Sequence, residues 1–277
     1  MTMATKSPGG SRRPLRLRPV GHALLIHPKG EPDQRALAIA ERLVPDPTHH
    51  VVVIDLPPGS LKQEWEAVAR LLADRPGAVR FVHGRRGRED VQEVGQRLAD
   101  RLGRPVLLPD GEALSVPGGR LYIPSEHGVG WLSFRPGQAA QQHSRRFPKT
   151  HWEFGTPDRP VEISPYGAAE PMPSGVWVHS TADLRKNTHR QRLTQVLPTH
   201  PDILTVVIGS PGAPEVPLED VTGLWESLLP TVRPLVRFVH YGAVALPDGR
   251  ALGQALADEL AQEVVFYSGV PVQATFG

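Results

Sequence analysis

Short, nearly continuous apolar runs alternate along this chain with segments whose apolar positions recur every three to four residues. The first pattern marks strands covered on both faces, and the second marks helices lying across them. In the first half, residues 22–27, 50–56, 78–83 and 105–109 read as strands, and residues 31–44, 61–74 and 89–102 read as helices. Pro45 and Pro47 stop the first helix, since proline lacks the N–H that a helix needs. The second helix places Leu61, Trp65, Val68, Leu71 and Leu72 on one stripe. The third turns Val91, Val94, Leu98 and Leu102 inward, with Gly95 marking either close packing or a weak point. In the second half the order recurs, with strands at 175–179, 203–209, 235–240 and 263–268 and helices at 183–197, 217–229 and 249–262.

The recurrence extends to residue identity. Val79-Arg80-Phe81-Val82-His83 returns as Val236-Arg237-Phe238-Val239-His240, and the Gly95–Leu102 block returns as Gly253–Leu260. Val52-Val53-Ile54 with Pro57 matches Val206-Val207-Ile208 with Pro211, and Leu24–His27 lines up with Val176–His179. Four blocks in one order read as a tandem duplication. Parallel strands joined by helices need crossovers, so each half is expected to be a mainly parallel, doubly wound (flavodoxin-like) α/β unit with right-handed connections. Ala113–Val116 and Arg120–Ile123 flank Gly118-Gly119 and read as a β-hairpin extending the first unit.

The expected division is a basic disordered tail (1–19), a first α/β unit (20–136), a Pro-rich linker (137–173) and a second unit (174–277). Six prolines between 148 and 173 argue against regular structure in the linker. Its rings, Phe147, Trp152, Phe154 and Tyr166, predict that it is anchored on the units, since burying each contributes roughly 2 kcal/mol.

Composition narrows the chemistry. The 277 residues include 30 prolines, 27 glycines and no cysteine, which removes disulfides, thiol nucleophiles and cysteine-bound metals. No apolar run reaches the length of a membrane span. Lys6, Arg12, Arg13, Arg16 and Arg18 give the first 20 residues five positive charges and no acid, leaving 26 basic and 29 acidic groups elsewhere. The basic character therefore belongs to the tail, which is open to nucleic acid or an acidic partner or is simply solvated. Ala23–Ile26 is too short for a secretory h-region, so a cytoplasmic protein is expected.

Ligands of doubly wound sheets bind beyond the carboxyl ends of strands. His27 and His83, and likewise His179 and His240, end the first and third strands of each half, which a flavodoxin-like order makes neighbours. Each pair is a candidate ligand site or general base; the simpler alternative is that each caps a loop carbonyl. Asp55 stands where the second copy has Gly209, which weakens a shared catalytic site. His83-Gly84 resembles the His-Gly of clan-CD (caspase-like) peptidases, but no thiol follows. Ser268 beside His240 is the remaining candidate nucleophile. Arg85, Arg86 and Arg88 form a basic strand-end loop able to hold an anion or to stay in water. Arg145, Arg146 and Trp152 interleave charge and ring as a single-stranded nucleic-acid surface would, or as an anchored linker would. No phosphate-binding glycine motif occurs, and no cofactor or metal is expected.

Leu107–Gly111, Val116–Gly119, Gly130-Trp131 and Phe134–Gly137 are similar to repeated α/β segments of large multi-domain actinobacterial proteins associated with polymorphic-toxin and secretion systems. The resemblance covers about half the chain, rests on turns and strands, and implies a genomic setting without a reaction. The expected function is a non-catalytic protein-interaction or scaffolding module, the alternatives being an enzyme or toxin effector at the strand-end histidines and a nucleic-acid binder using tail and linker.

Overall fold

The computed structural model describes residues 14–57, 62–85, 90–246 and 249–272. Its N-terminal half runs β1 (Leu15–Val20), β2 (Ala23–Pro28), α1 (Gln34–Arg42), β3 (His50–Ile54), α2 (Lys62–Leu72), β4 (Val79–His83), α3 (Val91–Leu102) and β5 (Val106–Asp110). Then follow β6 (Leu114–Val116), β7 (Arg120–Tyr122), β8 (Gly130–Phe134), β9 (Gln141–Ser144) and β10 (Arg146–Phe147). The C-terminal half has β11 (Val161–Glu162), β12 (Gly167–Met172), β13 (Gly175–Ser180), α4 (Lys186–Val196), β14 (Leu204–Ile208), β15 (Val216–Pro217), α5 (Leu218–Ser227), β16 (Val236–His240), β17 (Val244–Ala245) and α6 (Leu252–Leu260).

The protein is a mixed α/β structure. Its first sheet is ordered β1-β2-β3-β4-β5-β8-β9, with β2 to β5 parallel and the outer strands antiparallel. The second is ordered β11-β12-β13-β14-β16, with β13, β14 and β16 parallel and β12 antiparallel to β13. The parallel strands follow chain order, so the flavodoxin-like order is corrected: the second strand of each set lies between the first and the third. Helices cover both faces of each sheet. Ala36 and Ala40 of α1 pack with Leu25, Val51 and Val53, whereas Trp65 of α2 and Leu98 of α3 pack with the alternate residues Ile26, Val52 and Phe81. Because β2, β3 and β4 succeed one another in space while α1 and α2 lie on opposite faces, their two crossovers turn with opposite hands. One of them departs from the right-handed rule. The second sheet shows the same arrangement, with Leu193 of α4 on Trp177 and Val207 and with Leu224 of α5 and Leu256 of α6 on the other face.

Three other expectations change. Residues 15–19, expected to belong to a disordered tail, form β1 together with Val20, because Leu15 and Leu17 alternate with Arg16 and Arg18 and turn onto the α2 side of the sheet. Residues 137–173, read as an irregular linker, hold β9 to β12; the prolines fall mostly between these strands or on β12. The hairpin forms, but Val116 pairs with Arg120, so the expected two-residue turn is a three-residue loop, Pro117-Gly118-Gly119, whose glycines take φ 77° and 68°. It joins β10 in a separate three-stranded sheet on the α1 face, and β8 and β9 extend the main sheet instead. The strand expected at 263–268 is reduced to a single parallel bridge, Phe238 to Phe266.

Candidate binding cleft at the junction of the two sheets

The strand-end histidines do not converge. β3 stands between His27 and His83, and β14 between His179 and His240. His27 and His179 are both buried, and each turns Nδ1 onto the carbonyl oxygen of the next residue, 2.8 Å to Pro28 and 2.9 Å to Ser180. A carbonyl only accepts, so Nδ1 carries the proton in both. These two imidazoles cap the ends of their strands. His240 and Ser268 are exposed, and no hydrogen bond joins them among the described residues. The His-Gly pair has a packing cause: a Cβ on Gly84 would lie 2.5 Å from the Cβ of Ala36 on α1. In the second half, Gly242 lies so close to Ser210 that an added Cβ would meet its backbone nitrogen at 2.1 Å, which seals that strand end. Among the described residues no cluster of three or more His, Asp or Glu side chains could hold a metal.

Arg85 is consumed internally. Its Nε donates to Asp55, a fully buried carboxylate that also accepts the backbone N–H of Asp33 at 2.8 Å. The bond to Asp55 raises the guanidinium above its ordinary value. Asp33 itself caps α1 through Arg35 and Ala36. Arg12, Arg13, Arg86 and Arg88 lie outside the described residues.

Arg145, Arg146 and Trp152, read as possible nucleic-acid contacts, are buried where the two sheets meet. Arg146 donates to the carbonyls of Pro173 at 3.0 Å and Met172 at 2.5 Å and to the Glu153 carboxylate at 3.2 Å. Its guanidinium lies 4.5 Å from the centre of the Trp152 ring and 5.3 Å from that of Tyr122. Arg145 donates to the Gly128 carbonyl, and Trp152 to that of His200. These groups hold the joint together and offer no charge to a polyanion. Of the linker rings, Phe147 and Trp152 are buried as expected, whereas Phe154 and Tyr166 are about 70% exposed.

Beside this joint lies a cleft of about 390 Å³. One wall comes from the N-terminal half: Leu114 on β6, Tyr122 on β7 and the turn Pro124–His127. The other comes from Glu170–Met172 on β12 and from α4. Tyr122 ties the walls together, its hydroxyl donating to the Pro171 carbonyl at 3.1 Å, and burial pushes that phenol up to about 12. At the base Arg190 grips Glu170 with both edges of its fork, through Nε to Oε1 and through Nη2 to Oε2, while His179 Nε2 sits 3.5 Å from the same carboxylate. Burial acts to raise the Glu170 carboxyl, but the contact with His179 and the Arg190 fork outweigh it and hold the group below its ordinary value. The remaining guanidinium nitrogen reaches Asn187 Oδ1 at 3.3 Å and stands 4.0 Å from Glu126. The base is thus a closed, neutralised pair, and the rim carries the 53% exposed Glu126 carboxylate.

Pattern reading did not single out Glu170, Arg190 or Glu126. One signal was present: a glutamate inside the small-residue run Gly167–Met172, all of it buried, demands a cationic partner. Comparison with protein-family models, with curated proteins and with solved structures finds no match to this chain.

Proposed function

We propose that this chain is a non-catalytic protein-interaction module of two α/β units derived from a tandem duplication, with the cleft at their junction as its receiving surface. Kinship of the units is supported by the repeated Val-Arg-Phe-Val-His strands. It is supported further by a shared irregularity, the opposite hands of successive crossovers, which two unrelated sheets would rarely both adopt. The observation that carries the functional reading is the cleft itself: neither unit alone has both walls, and the joint of Arg146, Tyr122 and Trp152 holds those walls at fixed separation. A preformed concavity lined by apolar side chains with a few polar groups is what recognition sites use. His27 and His179, by contrast, are committed to strand-end carbonyls, and β3 and β14 keep each from its paired histidine, which supports binding over catalysis there. The proposed setting is an actinobacterial toxin or secretion neighbourhood within the cytoplasm, in keeping with the resemblance of the hairpin segments.

The test is affinity capture from a native lysate with the full chain and with Thr194→Trp, which fills the cleft from its α4 wall. Retention of a protein by the first and its loss from the second, at equal thermal stability, is the expected result. Equal capture by both proteins refutes the cleft as the receiving surface.

A further inference from the structure

Resting on that reading, we propose that the cleft receives an extended segment of a protein partner's chain, with a basic side chain of that segment beside Glu126. The occupant follows from three features of the walls.

The α4 wall is the first. Asn187, Gln191 and Gln195 recur every four residues and all line the cleft. A helix rises about 6 Å in four residues, and an extended chain advances about 6.8 Å in two. Successive carboxamides on α4 therefore meet successive peptide groups of a strand laid along the helix, in near register over about four residues. A carboxamide offers both a donor and an acceptor, as a peptide group requires. Gln191 and Gln195 spend neither on the protein's own described residues. Much of the outward surface of α4 is polar, including Lys186, Asn187, Arg190, Gln191, Arg192 and Gln195, with only His189 and Leu193 buried. Its outward face therefore makes no use of apolar packing.

The opposite wall is the second. Leu114, the Tyr122 ring, Pro124 and Pro171 present apolar surface to whatever lies on the carboxamides. An extended segment turns alternate side chains to opposite sides, so one side meets this wall and the other meets the mouth.

Charge is the third. Arg190 and Glu170 cancel at the base, and Arg190 is engaged by Glu170 and Asn187, so among the described residues lining the cleft no arginine or lysine is left free for an anion. Glu126 is the half-exposed carboxylate at the rim; it makes a long ion pair with Arg190 Nη1 at 4.0 Å and accepts from Ser125 Oγ at 3.5 Å, leaving its outer side open to a second cation. The complement of that arrangement is a cationic side chain at the mouth and apolar ones within.

The experiment screens an acetylated, amidated tetrapeptide library against the full chain and measures the selected sequence by fluorescence anisotropy. Enrichment of Lys or Arg at one position, with apolar residues at its neighbours, is expected. Glu126→Lys should exchange that preference for Asp or Glu while leaving the apolar positions unchanged. Gln191→Ala with Gln195→Ala should weaken the selected peptide roughly tenfold, the loss of one or two net hydrogen bonds. No enrichment, or a basic preference that survives Glu126→Lys, overturns the inference. Loss of partner capture by Thr194→Trp, combined with no peptide selection, would leave the module standing and remove only the extended basic occupant.

Discussion

Gly95 of α3 and Gly253 of α6 begin matching sequence blocks, Gly95–Leu102 and Gly253–Leu260, yet a methyl group added to each should act in opposite directions. At Gly95 the new Cβ would lie 2.3 Å from Cε2 of Phe134, where ordinary contact begins near 3.4 Å. Ring or helix must therefore retreat by about 1 Å, and Phe134 is fully buried beneath Leu98 and Val106. Overpacking of that kind costs about 1–3 kcal/mol, set against a gain of about 0.8–1 kcal/mol for replacing a helical glycine. A clash of this depth on a buried ring belongs to the upper half of that cost, about 2–3 kcal/mol, so Gly95→Ala should be destabilised by roughly 1–2 kcal/mol. At Gly253 the nearest atom is a Phe266 ring carbon at 3.7 Å, an ordinary contact, so only the helical gain of about 0.5–1 kcal/mol remains. The cause of the asymmetry is β8, which carries Phe134 across the first sheet and has no counterpart beside β16 among the described residues. Urea titrations followed by circular dichroism, with thermal melts in parallel, measure both variants. Midpoint shifts of the same sign and similar size in the two variants would refute the packing argument.

Arg146→Ala should lose about 3–5 kcal/mol, because it takes the cationic partner from the Glu153 carboxylate and a donor from the carbonyls of Met172, Pro173 and Gly175 in the joint. Arg146→Lys keeps the charge but not the fork and should lose less; denaturant unfolding of the two variants ranks them. Acid should destabilise the protein in two overlapping steps. His143 is held down to about 3 from an ordinary 6.5, by burial first and then by the Arg80 charge. The unfolded chain therefore takes up its proton first, and stability drains as pH falls from about 6.5 toward 3. For Asp46, burial is outweighed by bonds from His49 and by Arg80, so its carboxyl lies below the ordinary range. Its contribution is complete above that range and is lost as pH falls through and below it. His143→Gln should flatten the stability profile between pH 6.5 and 4, and Asp46→Asn the part below it, both read from melting temperature against pH. Gly119→Ala places a side chain at φ 68° and 1.9 Å from the Arg42 carbonyl. It should lose at least about 1–3 kcal/mol of stability, measured by the same melts.

The alternation of apolar runs with three-to-four periodicity placed α1 to α6 and the parallel strands of the two large sheets, β2 to β5, β13, β14 and β16, because burial of a face is written directly into residue spacing. The glycine pair of the hairpin was legible for the same local reason: two successive positive φ angles need residues without a Cβ. Both Val-Arg-Phe-Val-His segments were legible as strands and form β4 and β16. What spacing does not carry is the lateral order of strands. A strand between two others looks the same from its own residues as one at their side, so β2 and β4 were drawn together and their histidines paired. The structure inserts β3 and separates them. Nor does local pattern carry what a charge will meet. Arg85, Arg145 and Arg146 look like surface cations in a linear reading, but each is bound to a carboxylate or carbonyl brought from far along the chain. The cleft is the extreme case. Its walls are contributed by residues 114–127, 160 and 170–195, and only the folding of one half against the other gives them a common space. Secondary structure is set by neighbours a few residues away, whereas a binding surface depends on which distant segments win the competition to exclude water together.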